Sequence, residues 1–140
     1  MRVAAIAGWP DSGKTTLIVE LIRRYVATGK RVGAIKHTHH PLNHERRGDT
    51  LRFEQAGAEP VVLASAGEAV IFRRDGTQRA TYDRERDLLA YFTAADIVLV
   101  EGFKESDAWP KVTIDSRVHP IDDVVVETVM AELDVMWRSQ

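Results

Sequence analysis

The chain has 140 residues, with 19 Lys and Arg against 21 Asp and Glu and a formal net charge of -2. Hydrophobic residues make up 44% and charged residues 29%, the proportions of an ordinary globular protein. The absence of cysteine excludes disulfides, thiolate zinc sites, iron–sulfur clusters and cysteine nucleophiles. A chain of this length can bury a core of its own, and we expect residues 1–140 to form a single domain.

Charge and hydropathy also limit the partners of the chain. Residues 1–55 carry 10 Lys and Arg against 5 Asp and Glu, whereas residues 56–140 carry 9 against 16. The near-neutral total argues against a dedicated nucleic-acid-binding protein, and the basic first part is compatible with a small phosphorylated ligand. No apolar run reaches the ~18 residues of a membrane span, and the start lacks a signal-peptide cleavage site. We therefore expect a cytoplasmic protein that binds neither nucleic acid nor membrane.

The first part of the sequence alternates between strand and helix patterns. An apolar run at residues 2–7 predicts a buried strand. Apolar residues then recur at helical spacing over residues 14–26, and Gly29 stands where such a helix would end. Residues 31–37 predict a second strand, and the polar, histidine-rich residues 38–48 predict a loop.

Strands and helices continue to alternate through the rest of the chain. A short helix is predicted at residues 50–56, strands at residues 60–64, 96–102 and 111–114, and longer helices at residues 83–93 and 122–137. This alternation predicts an α/β fold with a mostly parallel sheet and helices on both faces.

An antiparallel β-hairpin interrupts the alternation. Residues 69–74 and 77–82 flank Asp75 and Gly76, a favoured dipeptide for a two-residue turn. The apolar run at residues 70–72 would be an aggregation-prone edge if it were exposed. Pairing with a second copy of the chain would cover this run, so a homodimer is the preferred interpretation; packing of the hairpin on its own sheet is the alternative.

A phosphate-binding pattern stands between the first strand and the first helix. Residues 8–15 match G-x-x-x-x-G-K-[ST] without substitution. The glycines let backbone amides approach phosphate oxygens, and the helix that follows adds its positive N-terminal end. The pattern predicts a fold of the P-loop NTPase type. Its predicted nucleotide-binding residues are Gly8, Trp9, Pro10, Asp11, Ser12, Gly13, Lys14, Thr15 and Thr16.

The side chains of the pattern also predict a magnesium site. Lys14 would neutralise the β- and γ-phosphates, Thr15 would offer its hydroxyl to Mg²⁺, and Thr16 could donate to an α-phosphate. Such a site needs a carboxylate at the same sheet edge, and Glu101 ends an apolar strand there. An acid that merely ends a strand at the surface is the alternative. Asp49 is a second candidate, with a helix N-cap as its alternative.

Histidines follow the second strand, at the same predicted edge. His37 and His39 would share a face if the strand continued, and His40 and His44 have the i, i+4 spacing of a helix. Imidazole suits zinc or nickel, but no acidic or sulfur ligand is spaced to complete a closed shell. Solvated loop residues, or donors to a phosphate or a pterin, are the preferred interpretation.

Basic side chains surround these histidines. Lys36 precedes them, and Arg46, Arg47 and Arg52 follow. Together they would suit a second anionic ligand, and a solvated basic loop is the alternative. Lys36, His37 and His39 are therefore included among the predicted ligand-binding residues.

Six segments of the sequence together resemble a known family. Two of them are more specific than the phosphate pattern: the Lys-His-x-His-His run at residues 36–40 and the Val-Glu-Gly-Phe-Lys run at residues 100–104. The segments lie at residues 8–16, 33–40, 48–52, 56–58, 100–104 and 110–112. With these residues the chain is similar to the molybdopterin-guanine dinucleotide biosynthesis protein B (MobB) family over residues 1–115.

The resemblance implies GTP binding with weak Mg²⁺-dependent hydrolysis, a homodimer, and an accessory role when a guanylyltransferase attaches GMP to molybdopterin. Residues 8–16 would then hold GTP, and Thr15, Glu101 and Asp49 would serve Mg²⁺ at the active edge. Lys14, Glu101 and Asp49 are the predicted catalytic residues. Molybdopterin or its guanylyltransferase is the predicted partner.

Two other function classes are compatible with the motifs. A small kinase would transfer the γ-phosphate to a metabolite held by the basic loop, and residues 38–48 are the only segment long enough for its lid. A nickel or zinc metallochaperone NTPase would carry its metal on the histidines. Turnover of a phosphorylated product would favour the kinase, and bound metal in a dialysed sample would favour the metallochaperone.

Overall fold

The computed structural model of the chain describes residues 1–8, 12–114 and 120–139. Its strands are β1 (Arg2–Ala7), β2 (Val32–His37), β3 (Val61–Ser65), β4 (Glu68–Arg73), β5 (Gly76–Thr81), β6 (Ile97–Glu101) and β7 (Lys111–Thr113). Its α-helices are α1 (Lys14–Ala27), α2 (Gly48–Ala56) and α3 (Asp123–Arg138), and a 3₁₀ segment spans Glu85–Phe92.

The strands form one mixed sheet in the order β5-β4-β3-β2-β6-β1-β7. All neighbours from β3 to β7 in this order are parallel, whereas β4 is antiparallel to both β3 and β5. The α/β class, the mostly parallel sheet and the antiparallel pair are therefore confirmed. Because β1, β2 and β6 are parallel, their carboxyl ends meet at one edge, which we call the carboxyl edge.

Each face of the sheet has its own apolar core. The helices α1, α2 and α3 cover one face, with Leu17, Phe53 and Leu133 fully buried against it. The other face is covered by the 3₁₀ segment, through Leu88 and Phe92, and by the chain after β6. Both faces of the sheet are covered, as predicted, but the cover of the second face contains no α-helix among the residues described.

Three predicted boundaries need correction. Arg47, not Asp49, is the N-cap of α2, and Asp49 lies in the first helical turn. The two-residue hairpin turn is Arg74 and Asp75, because Gly76 already pairs with Arg73. The helix predicted at residues 83–93 is the shorter 3₁₀ segment.

The hairpin packs on its own sheet. Val70, Ile71 and Phe72 are 0–1% exposed, because β4 pairs along its full length with β3. The alternative interpretation of the hairpin is therefore confirmed, and an exposed apolar strand no longer argues for a dimer. The outer strand of the sheet on this side is β5, whose residues are mostly exposed.

No helix in the described ranges is long and apolar enough to cross a membrane.

The packing between β2 and the 3₁₀ segment predicts a specific sensitivity. A methyl group added to Gly33 would lie 2.3 Å from Cδ1 of Phe92, a ring that is 1% exposed and enclosed by the core. We expect Gly33→Ala to lower the free energy of unfolding by about 1–3 kcal/mol, measured by chemical denaturation. Combining it with Phe92→Leu should cost less than the two single changes added together. A Gly33→Ala variant as stable as the parent would contradict this packing.

Candidate functional site

The phosphate pattern joins the end of β1 to the start of α1. Trp9, Pro10 and Asp11 lie outside the described residues. Gly13 has a left-handed φ of 87°, and a Cβ on Gly8 would lie 2.8 Å from the Ser12 hydroxyl oxygen. Both glycines therefore stand where a larger residue would be strained or would clash.

A cavity of about 430 Å³ lies at the N-terminus of α1, and we call it the phosphate cavity. It is lined by Ser12, Gly13, Lys14, Thr15, Thr16, Lys36, Asp49 and Glu101. The Lys14 ammonium donates a hydrogen bond to the Gly8 carbonyl at 3.2 Å, so its side chain folds back over the loop. Amides at a helix N-terminus and a nearby ammonium make this cavity suitable for an anion.

Three residues predicted for magnesium meet at one side of this cavity. The Thr15 hydroxyl donates to Oε1 of Glu101 and lies 3.3 Å from Oδ2 of Asp49. Glu101 is only 2% exposed, whereas the Asp49 side chain is about one-third exposed. The alternative in which Glu101 is an acid at the surface is therefore wrong.

Lys36 joins the two carboxylates. Its ammonium pairs with Oε2 of Glu101 and lies 2.9 Å from Oδ2 of Asp49. Lys36 and Glu101 are also directly opposite each other in the register of β2 and β6. Burial lowers the pKa of Lys36, but the hydrogen bonds to Glu101 and Asp49 outweigh burial and raise it. Lys36 is therefore charged at neutral pH.

The donor set fits magnesium better than a softer metal. Hydroxyl and carboxylate oxygens from Thr15, Glu101 and Asp49 are hard ligands, and Mg²⁺ usually takes one or two carboxylates while keeping waters or phosphate oxygens. Within the described ranges, no group of three or more His, Asp or Glu is arranged to hold a metal alone. A Mg²⁺ ion beside this cluster would therefore need water or phosphate oxygens to complete its coordination.

His37 and His39 lie on the other face of the same edge. Side chains alternate along a strand, so Lys36 points toward α1 and His37 toward the opposite layer. The His37 ring stacks on Phe103 at 4.1 Å between centroids and meets His39 edge-on at 4.8 Å. Burial lowers the pKa of His37, and the nearby His39 and Lys36 add to this effect. The two rings are in contact although β2 ends at His37, so a shared face of a continuing strand does not explain the contact.

The loop predicted at residues 38–48 is confirmed except at Gly48, which begins α2, and the loop contains His40 and His44. The chain between β2 and α2 is irregular, so these residues have no helical register. Arg46 links α2 to the hairpin. Its guanidinium pairs with Glu54 of α2 and donates to the Arg73 carbonyl oxygen of β4 at 2.5 Å.

The remaining basic residues have different surroundings. Arg47 pairs with Glu45 at the surface. Arg52 donates to the Thr16 hydroxyl at 3.5 Å and so lies beside the phosphate cavity. Lys36 and Arg52 are therefore the predicted basic residues that this structure brings to the phosphate cavity.

Sequence reasoning missed a second cavity at the carboxyl edge. It has a volume of about 490 Å³, and we call it the aromatic cavity. It shares Lys14, Lys36 and Glu101 with the phosphate cavity, and its own lining includes His37, His39, Tyr82, Glu85, Phe103 and Lys104. Gly102, with φ of 99°, stands before Phe103, with φ of 54°. The sequence signal that could have indicated this cavity is Gly102, because it directly follows the acidic residue that ends β6.

Comparison with known proteins identifies a matching family. The family described as "Molybdopterin guanine dinucleotide synthesis protein B" matches residues 3–131. The chain is 37% identical over 107 residues to a putative molybdopterin-guanine dinucleotide biosynthesis adapter protein of Methanocaldococcus jannaschii, covering 76% of this chain and 42% of that protein. It is 33% identical over 131 residues to the adapter protein of Escherichia coli, covering 88% and 71%. The chain thus spans less than half of the archaeal relative.

Two solved structures share the fold. The crystal structure of Bacillus subtilis MobB has a TM-score of 0.56 and 24% identity, covering 94% of this chain and 98% of that one. The MobB homologue from Bacillus stearothermophilus has a TM-score of 0.54 and 22% identity, covering 96% and 99%. The family model matches most of this chain, and one-third of the residues aligned with the E. coli protein are identical. This chain therefore belongs to the molybdopterin guanine dinucleotide synthesis protein B (MobB) family.

Proposed function

We propose that the chain binds GTP with Mg²⁺ in the phosphate cavity and acts as an adapter when GMP is attached to molybdopterin. The observation that carries this proposal is the gathering of Thr15, Asp49 and Glu101 beside the phosphate pattern. The adapter role and the guanine nucleotide come from the names of the relatives in E. coli and M. jannaschii.

The phosphate cavity supplies the groups that a triphosphate needs. Amides at the start of α1 and the Lys14 ammonium would balance phosphate charge. The Ser12 hydroxyl is 4% exposed and has no hydrogen-bond partner within the part of the chain that the structure describes. A buried hydroxyl without a partner is unfavourable, and a phosphate oxygen would satisfy it. This supports an oxyanion ligand independently of the sequence pattern.

The same geometry favours slow hydrolysis. Mg²⁺, when bound beside Thr15 and Glu101, would neutralise charge on the phosphates. Oε1 of Glu101 accepts from Thr15 and Oε2 pairs with Lys36, so both carboxylate oxygens have partners. Glu101 is thus poorly placed to take a proton from an attacking water. A protein that holds GTP and cleaves it slowly suits an adapter better than an efficient hydrolase.

A homodimer and a guanylyltransferase are the partners in this proposal. Among the described residues of one chain, the outer strand β5 has no strand neighbour on one side of its backbone, and such an edge can pair with a second copy. The hard oxygen ligands beside the phosphate pattern favour Mg²⁺ over the nickel or zinc of a metallochaperone.

Lys14→Ala should weaken GTP binding by about 10- to 100-fold, because one charge-assisted contact to the phosphates is lost. Isothermal titration calorimetry with Mg²⁺ present measures this effect, and thermal melting checks the fold. Lys30→Ala is the matched control, since Lys30 is exposed and lies at the opposite edge of the sheet. Unchanged affinity in Lys14→Ala would contradict the assigned phosphate site.

Glu101→Gln should raise the Mg²⁺ concentration needed for half-maximal GTP binding about tenfold, because one anionic ligand is removed. GTP affinity measured in excess EDTA should change much less. Asp96→Asn is the control, since Asp96 accepts from the Arg31 amide at the opposite edge. If affinity falls equally with and without Mg²⁺, Glu101 has only a structural role.

Guanine preference has a direct test. Parallel titrations with GTP and ATP in saturating Mg²⁺ should give an affinity at least about tenfold higher for GTP, which corresponds to about 1.4 kcal/mol. Equal affinities would leave a nucleotide site without the guanine preference that an adapter for GMP attachment requires.

A further inference from the structure

The aromatic cavity adjoins the phosphate cavity at the end where the γ-phosphate would lie. It is lined by Lys14, the residue that the phosphate pattern assigns to the β- and γ-phosphates, but not by Thr15 or Thr16. The nucleoside lies on the α-phosphate side of such a loop, and so away from this cavity. The aromatic cavity therefore offers room for a molecule other than the nucleotide.

One wall of this cavity is aromatic and rigidly placed. Phe103 has a left-handed backbone, which is uncommon for a bulky residue and costs energy that its surroundings must offset. Its ring supports His37 on one side and packs on Trp109 at 5.6 Å on the other. A side chain on Gly102 would lie 2.7 Å from Cβ of His37, so the turn keeps His37 tightly fixed. Strained backbone held by stacked rings is typical of a binding site.

His37 presents a defined hydrogen-bonding edge. Its Nδ1 accepts from the Phe103 amide at 3.4 Å. Burial lowers the pKa of His37, so the ring is neutral at neutral pH and its proton resides on Nε2. The His37 ring thus provides an aromatic surface together with one N–H donor.

The charges in the aromatic cavity are separated. Lys14 and Lys36 lie where it joins the phosphate cavity, whereas Asp83 and Glu85 come from the chain that follows β5. Lysines suit a phosphate, but the carboxylates would repel a second polyphosphate. Carboxylates accept hydrogen bonds from ring N–H and amino groups. The lining therefore matches a ligand with an anionic end and a planar end that carries N–H donors.

We propose that the aromatic cavity binds a second ligand next to the nucleotide: a pterin-type planar heterocycle that carries a phosphate ester. The heterocycle packs against the His37 and His39 rings and donates from its N–H edge to Glu85, and its phosphate reaches Lys14 and Lys36. This inference rests on the proposed function, because it takes the orientation of the nucleotide from the phosphate site. It gives the adapter a place for both molecules that are to be joined.

Neopterin monophosphate is a suitable probe because its own fluorescence reports binding. We expect saturable, one-to-one binding in the presence of saturating Mg²⁺ and a non-hydrolysable GTP analogue. His37→Leu should weaken probe binding about three- to tenfold through the lost stacking surface. Glu85→Gln should weaken it by about tenfold through the lost charged acceptor. GTP affinity should change less than twofold in Glu85→Gln.

Matched controls separate this effect from general destabilisation. Tyr91→Leu removes a partly buried ring from the same 3₁₀ segment, at the opposite edge of the sheet. Glu132→Gln removes an exposed carboxylate from α3. Neither change should alter binding of the probe.

Several outcomes would overturn the inference. Competition between the probe and the GTP analogue would place the probe in the nucleotide site, and displacement of the probe by guanosine would assign the aromatic cavity to a purine base. Equal displacement by inorganic phosphate would reduce the cavity to an anion site. If the unmodified chain binds GTP but not the probe, the second ligand alone is refuted. If the unmodified chain binds neither GTP nor the probe, the proposed function itself is refuted.

Discussion

The buried carboxylate of Glu101 is the constraint on which the carboxyl edge depends. A charged group that is 2% exposed is tolerated only when it is paired and hydrogen-bonded. Lys36 on β2 and Thr15 on α1 supply those partners, and Asp49 on α2 holds Lys36 from its other side. Removing one partner of such a buried pair typically costs about 3–5 kcal/mol. An exposed pair such as Arg47 with Glu45 constrains the fold far less.

This pairing ties together elements that are distant in sequence. Thr15 and Glu101 are 86 positions apart, and Lys36 and Glu101 are 65 apart. The parallel register of β2 with β6 brings Lys36 to Glu101, and the neighbouring β1 delivers the start of α1 to the same place. The oxygen ligands proposed for Mg²⁺ are therefore held together by contacts within the chain itself, which reduces the ordering cost of binding.

The structure brings Lys14, Thr15, Asp49 and Glu101 together, and the rules that predicted their proximity are local or follow from strand direction. Glu101 was found as the acid that ends a buried strand, and parallel pairing then requires it to lie near residue 15. Asp49 was found too, and its alternative role as a helix cap is excluded because Arg47 is the N-cap of α2.

The errors have equally specific causes. The hairpin turn was displaced by one residue because Asp75-Gly76 is a strong local signal, whereas the pairing of β4 with β3 sets the register. The aromatic cavity was missed because Phe103 takes an uncommon φ that no periodicity predicts. Its other walls come from Tyr82 and Glu85, which only the route of the chain beyond β5 brings to this edge.

The alternation of side chains along β2 explains why one edge can hold two cavities. Lys36 lies on the face of α1 and His37 on the face of the 3₁₀ segment, so only Lys36 of these two neighbours reaches the phosphate cavity. Lys36 also borders the aromatic cavity, as do Lys14 and Glu101. A charge that enters either cavity therefore acts on ions shared with the other, at distances where proteins screen weakly. If both proposed ligands bind, these shared ions would make the affinity for one depend on the charge of the other, without any movement of the fold.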